Sequence, residues 1–163
     1  MAVWGKHRLR ANRSEQTRPI GEKMGTKRHI LVDARGVPLS IVVTGANRQD
    51  VTQVETVLAA RARHPRGRTK QNLCADKGYQ SKEAERIMKK YGYTPHIRSR
   101  GEEKKQMKTG CKPRRWIVEV VHSWFNRFRK LLVRYEKTTS SYEALLQLAA
   151  AVIIFRKTGA ICG

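Results

Sequence analysis

A chain of 163 residues suits one domain with a packed core, or part of a larger one, and its formal charge of +22 attracts polyanions, nucleic acid before an anionic membrane. The apolar run 145–155 contains Gln147 and is too short to span a bilayer, and Arg8, Arg10 and Arg13 lead into no apolar segment of the kind a signal peptide needs. Cys74, Cys111 and Cys162 are odd in number and widely spaced and the five His are scattered, which argues for a reducing compartment and against a structural zinc site.

Residues 1–24 are polar, basic and aperiodic, so disorder is the expectation there. His29-Ile30-Leu31-Val32 reads as a short strand, Asp33-Ala34-Arg35-Gly36 as a turn, and 38–45 as a second strand, together an antiparallel hairpin. A helix over 49–63 follows, with Val51, Val54, Val57 and Leu58 on one side and Asp50 placed to cap its start. After a basic loop at 64–70, Asn72-Leu73-Cys74-Ala75 is a buried strand that ends in Asp76-Lys77-Gly78-Tyr79. A helix over 81–91 opens at Ser81, a strand over 94–98 follows, and 98–112 is a charged loop.

The spacing over 115–132 predicts one long helix with two faces. Ile117, Val121, Trp124, Phe128, Leu131 and Tyr135 form its apolar stripe, and Pro113 suits the turn that leads into it. Arg115, Glu119, His122 and Asn126 form the polar face, with Arg129 and Lys130 beyond. Glu119 is then a lone carboxylate on a basic face, and its simplest role is a salt bridge to Arg115 worth a few tenths of a kcal/mol. A last helix, 140–157, starts at Ser140 or Ser141 and buries Leu145, Leu146, Leu148, Ala149, Val152 and Ile153. The order predicts an α/β domain with a mixed sheet flanked by helices, one edge of whose opening hairpin is uncovered.

Asp76 directly follows a buried strand and precedes a glycine, a position that suits either a turn aspartate or a functional carboxylate. Paired with Glu119 from a neighbouring helix it suits Mg²⁺ in a basic cleft, since Mg²⁺ takes one or two carboxylates plus waters and phosphate oxygens. Asp33 and Asp50 are the nearby candidates for a third carboxylate, and turn and helix-start roles already explain both. Trp116 and Trp124 are candidates to stack on a flipped or terminal base.

These motifs resemble a family. Gly25-Thr26-Lys27-Arg28-His29-Ile30-Leu31-Val32-Asp33, Gly36-Val37-Pro38-Leu39, Gly45-Ala46-Asn47-Arg48-Gln49-Asp50, Ala75-Asp76-Lys77-Gly78-Tyr79 and the segment 115–137 are similar to transposases of bacterial insertion sequences. The group is the insertion-sequence-five group of the RNase H-like DDE superfamily. The resemblance implies an RNase H-like sheet over 25–157 with a tail at 158–163. It implies Asp76 and Glu119 as catalytic ligands of Mg²⁺ (or Mn²⁺) for strand cleavage and strand transfer. Double-stranded DNA, transposon ends and target, is the implied partner, met by Lys27, Arg28, Arg115, Asn126, Arg127, Arg129, Lys130 and Arg134. A homo-oligomer in the full-length form, no membrane, and a cytoplasmic, nucleoid-associated location follow from the same likeness.

The chain departs from the family pattern at several places. Val120 stands where an arginine often follows the glutamate, and Lys112 and Asn126 stand at the signature tyrosine and lysine positions. The first catalytic aspartate, carried in the family by a strand upstream of the hairpin, has no counterpart, so the sheet is expected to lack its first strand and the chain to be inactive alone. Back-translating 12–24 and starting one base later permits Ile-Gly-Pro-Asn-Arg-Pro-Asp-Arg-Ser-Gly-Lys-Lys-Trp, which is family-like. Glu22-Lys23-Met24 can be encoded as a run of A that favours slippage. On this reading 1–24 is translated out of frame, by programmed slippage or by decay. The alternatives are a non-catalytic DNA-binding fragment that regulates transposition and, from another class, an unrelated basic RNA-binding protein.

Overall fold

The structure is a computed structural model. It describes residues 2–10, 25–61, 71–97 and 116–159. A five-stranded sheet in the order β3-β2-β1-β4-β5 forms its centre. The strands are β1 (Ala2–Arg10), β2 (Gly25–Asp33), β3 (Pro38–Gly45), β4 (Gln71–Ala75) and β5 (Tyr93–Ile97). β2 runs antiparallel to both β1 and β3, and β4 joins β1 and β5 in parallel. The helices are α1 (Val54–Ala59), α2 (Lys82–Lys90), α3 (Trp116–Asn126), α4 (Arg129–Val133) and α5 (Thr139–Lys157).

Two expectations about the start of the chain are corrected. Ala2–Arg10 is a central strand, so the sheet does not lack its first strand and this part of 1–24 is not disordered. β1 pairs with β2 from Ala2↔Asp33 to Arg10↔Gly25 and covers the edge that the hairpin alone left open. Its alternation is weak in sequence, and tertiary pairing on both sides overrides the local composition. Residues 11–24, with most of the proposed frame-shifted stretch, lie outside the described residues.

The period-two alternation of β2 sorts the core into two layers. Ile30 and Val32 pack with Ile117, Val118, Val121 and Phe125 of α3, Leu131 of α4, and Tyr142, Leu146 and Ile153 of α5. Leu31 packs on the opposite face with Val54, Val57 and Leu58 of α1, Leu73 and Ala75 of β4, and Ala84 and Met88 of α2. β2 is thus covered on both faces, which explains its unbroken apolar run.

Local chemistry sets the turns and caps. Asp33 closes the β2–β3 turn by accepting from the amides of Arg35 and Val37, both at 2.8 Å, while Gly36 takes a positive φ of 82° that a side chain resists. Ser81 caps α2 as expected, accepting from the Ala84 amide at 3.0 Å. Asp50 does not cap the helix that follows it. Its carboxylate meets Lys27 Nζ at 3.3 Å instead, and the expected helix over 49–63 shrinks to a 3-10 turn, Val51–Gln53, and the short α1. The last helix is capped by Thr138, not Ser140 or Ser141, with the Ser141 amide as donor at 3.2 Å.

The predicted long helix is two helices. Arg127 and Phe128 donate to the carbonyls of Trp124 and Phe125, three residues back, which tightens and ends α3. Phe128 is extended, and α4 restarts with Leu131 and Leu132 donating to its carbonyl. Two face assignments change as well. His122 is buried, because α3 lies flat on the sheet and buries Ile117, Val118, Val121, His122 and Phe125 as a double row. Tyr135 lies past the left-handed Arg134 and is 60% exposed.

Candidate carboxylate site and basic surface

Asp76 sits one residue beyond β4 and is exposed. Its carbonyl accepts from the Tyr79 amide at 3.0 Å, the bond that turns the chain after the strand. Cys74 packs toward the α3 layer whereas Leu73 and Ala75 pack toward α1 and α2. The alternation therefore sets position 76 on the α3 side of the sheet. Glu119 occupies the first turn of α3 and is exposed, on a helix that packs across β1 and β2. The two expected carboxylates thus belong to elements flanking β1 on one side of the sheet.

Tyr79 anchors the Asp76 turn from below. Its ring is fully buried, and its hydroxyl lies 3.4 Å from Nδ1 of buried His29, whose Nε2 lies 2.9 Å from the Thr44 hydroxyl. Burial pushes the Tyr79 phenol well above its usual range, with Asp50 and Asp76 adding to the shift in that order. Sequence reasoning missed Tyr79 and His29 as supports of the site. The signal was present in Asp76-Lys77-Gly78-Tyr79, where an aromatic follows three residues after the carboxylate.

The register of β1 decides what stands beside Asp76. β1 meets β4 at Ala2↔Leu73 and Val3↔Cys74, and the same step carried two residues on sets Gly5 opposite Asp76. Gly5 pairs with Ile30 of β2, whose side chain belongs to the α3 layer. Position 5 is therefore the β1 position on the carboxylate face, and Ala2–Arg10 contains no Asp or Glu. Neither other candidate fills the gap: Asp33 is committed to its turn and Asp50 to Lys27 on the α1 side.

The basic residues range from exposed to fully buried. Arg127, Arg129 and Lys130 are exposed around the α3–α4 break. Arg28 is 0% exposed and donates through Nη2 to Asn126 Oδ1 at 2.7 Å. Burial lowers the Arg28 pKa, opposed by the neighbouring Tyr142. Lys27 donates to the Arg48 carbonyl at 2.8 Å and to Asp50, and Arg134 donates to the Thr26 hydroxyl with its guanidinium 5.3 Å from the Tyr142 ring centre. Each of these four, expected as a DNA contact, has a partner within the chain. Arg115, its expected bridge to Glu119, and the basic loops at 66–70 and 104–108 lie outside the described residues.

Residues 73–156 match the transposase DDE domain family. The chain is also 35% identical over 155 residues to a transposase described for insertion sequence element IS402 of Burkholderia cepacia, covering 92% of this chain and 70% of that protein. The chain belongs to the DDE transposase family. Its fold is that of retroviral integrase catalytic cores, the RNase H-like fold. The catalytic core domain of BIV integrase superposes with a TM-score of 0.53 at 17% identity, covering 91% of this chain and 80% of that one. A chain of the simian T-cell lymphotropic virus intasome, solved with PP2A regulatory subunit B56 gamma, gives 0.55 at 12% identity, and the present chain spans 46% of its length.

DDE enzymes use divalent metal ions, so the donor set of this transposase can be tested against one. Two exposed carboxylates with waters and phosphate oxygens suit a single Mg²⁺. A two-ion clamp needs a further carboxylate to hold both ions. Among the described residues no three His, Cys, Asp or Glu come together, and Gly5 offers no ligand. The described residues by themselves do not fit a two-ion site.

Proposed function

We propose that this chain is the catalytic region of an insertion-sequence transposase acting on double-stranded DNA, with Asp76 and Glu119 as two of its metal ligands and its carboxylate set incomplete. The observation that carries this reading is the β1–β4 register, Ala2↔Leu73 and Val3↔Cys74, whose continuation leads to Gly5, rather than an acid, at the level of Asp76. Family membership supports Mg²⁺-dependent strand cleavage and strand transfer at transposon ends as the parent chemistry. With one carboxylate short, the chain is inactive alone. Association with the nucleoid follows from its charge of +22, and homo-oligomerisation belongs to the full-length form.

The frame reading gives a source for the missing acid. An upstream frame joined to Gly25 supplies a different first strand, one that carries the aspartate, in place of Ala2–Arg10. The test is a cleavage assay on transposon-end DNA with Mg²⁺ or Mn²⁺, comparing this chain with that fusion. Activity in the fusion alone, abolished by Asp76→Asn or Glu119→Gln, is the expected result. Activity in the chain as it stands refutes the incomplete site. Silence in both, with tight DNA binding, favours the second reading, a non-catalytic fragment that occupies transposon ends; the exposed Arg127, Arg129 and Lys130 favour that reading independently of the carboxylates.

A further inference from the structure

The last helix, α5, is apolar on both sides. Tyr142, Leu146, Ala149, Ala150 and Ile153 face the core. On the opposite side Ala144, Leu148, Ala151 and Phe155 are exposed, Leu148 at 63% and Phe155 at 52%. Between Glu143 and Arg156 the helix carries no charge, and Gln147 is its one polar residue. A helix that is apolar all round is ordinarily covered on every side. The four outward residues recur at four-, three- and four-residue steps, the 3.5-residue repeat of a seam between two helices. Beside this stripe, Ile41 and Val43 of the sheet-edge strand β3 and Ala144, Leu146 and Gln147 of α5 line a groove of about 330 Å³.

We infer that this face is a self-association surface, on which α5 of a second copy of the chain packs antiparallel. The stripe alternates small and large side chains, so it is self-complementary in that direction. A two-fold axis between Ala149 and Ala150 sets Leu148 against Ala151 of the second copy and Ala144 against its Phe155. Parallel packing instead sets Leu148 on Leu148 and Phe155 on Phe155, which holds the helices apart. The antiparallel register also brings Phe155 of the second copy level with Ala144, beside the groove against β3. That groove has room for the ring, since an apolar cavity of about 150 Å³ already takes benzene. Glu143 comes level with Arg156 of the second copy, acid against base at both ends, and the two helix dipoles oppose each other. Two copies of +22 repel, so the contact uses the face that holds no charge, and added salt should strengthen it. This deepens the homo-oligomer reading above by naming its surface, and depends on neither the carboxylates nor DNA.

The test is sedimentation equilibrium of the full chain over a concentration series at low and high salt. Wild type is expected to dimerise more as concentration and salt rise, whereas its affinity for duplex DNA should fall with salt. Leu148→Lys and Ala151→Glu, both at exposed positions, should each weaken the dimer at least roughly tenfold, because a symmetric contact buries each new charge twice. Mixing the two variants should restore a dimer, since the antiparallel register pairs position 148 of one with position 151 of the other. A parallel pair gives no such rescue. Circular dichroism checks that each variant keeps the fold, and Phe155→Ser, which adds no charge, should weaken the dimer where a charged variant does not fold. A wild type that stays monomeric overturns the surface, and DNA binding by that monomer leaves the transposase reading standing. A dimer untouched by the substitutions overturns the surface and leaves the oligomer standing. Loss in both variants without rescue on mixing overturns the antiparallel pair. Binding of monomeric wild type to phosphatidylcholine vesicles, lost on Leu148→Lys, assigns the face to lipid and also overturns the inference.

Discussion

Arg28 donates to Asn126 at 2.7 Å across 98 positions of sequence, and this bond ties the second strand of the sheet to the end of the helix that carries Glu119. The guanidinium is fully buried, so Asn126 satisfies a charge that water cannot reach. Asn126→Ala is expected to cost about 1.5–3 kcal/mol, the range for a hydrogen bond to a charged group. Asn126→Lys sets a second cation against the first and should cost more than Ala, about 3 kcal/mol or above. Urea unfolding of the two variants checks the order, and a Lys variant as stable as wild type refutes it.

The sorting of basic residues by burial gives a salt prediction. Each phosphate contact contributes about 0.9 to the slope of log affinity against log salt. Replacing Arg127, Arg129 and Lys130 together by Ala should reduce that slope by up to about 2.7. Arg28→Met should leave the slope unchanged in whatever fraction remains folded, because the side chain is internal. Fluorescence anisotropy on duplex DNA over a salt series measures both.

A carboxylate restored at position 5 should complete the ligand set. Gly5→Asp is expected to tighten Mn²⁺ binding at least tenfold over wild type in calorimetric titration, with the gain lost on adding Asp76→Asn. Gly5→Asn is the control, matching the size of Asp without its charge. Equal Mn²⁺ affinity in folded wild type and Gly5→Asp would show that the β1–β4 register does not carry through to Asp76.

Alkaline pH should unfold the protein through Tyr79. Burial raises its pKa in the folded state, so the folded state holds the phenolic proton more tightly than the unfolded chain does. The stabilisation is complete below the unfolded tyrosine pKa of about 10 and is lost as pH rises above it. Tyr142 is shifted in the same direction, by burial against the opposing effect of Arg28 and then Arg134. The melting temperature should fall from about pH 10 upward, and less steeply in Tyr79→Phe. At neutral pH that variant should lose about 1 kcal/mol with the contact to His29. A melting temperature flat to pH 11 in wild type refutes the argument.

The sequence by itself determined the features that depend on neighbours in the chain. Apolar runs on either side of a turn gave the β2–β3 hairpin, Ser81 marked the start of α2, and short motifs gave the family. The tertiary structure decided what depends on partners far along the chain. Ala2–Arg10 is a strand because β2 and β4 pair with it on either side, a condition its own composition does not express. His122 is buried because the sheet accepts a double row from α3, and Asp50 leaves its expected cap because Lys27 lies beside it. Arg28, Lys27 and Arg134 look alike in sequence to the exposed Arg127, Arg129 and Lys130. A charge is marked by residue type, but its access to solvent is set by what folds over it.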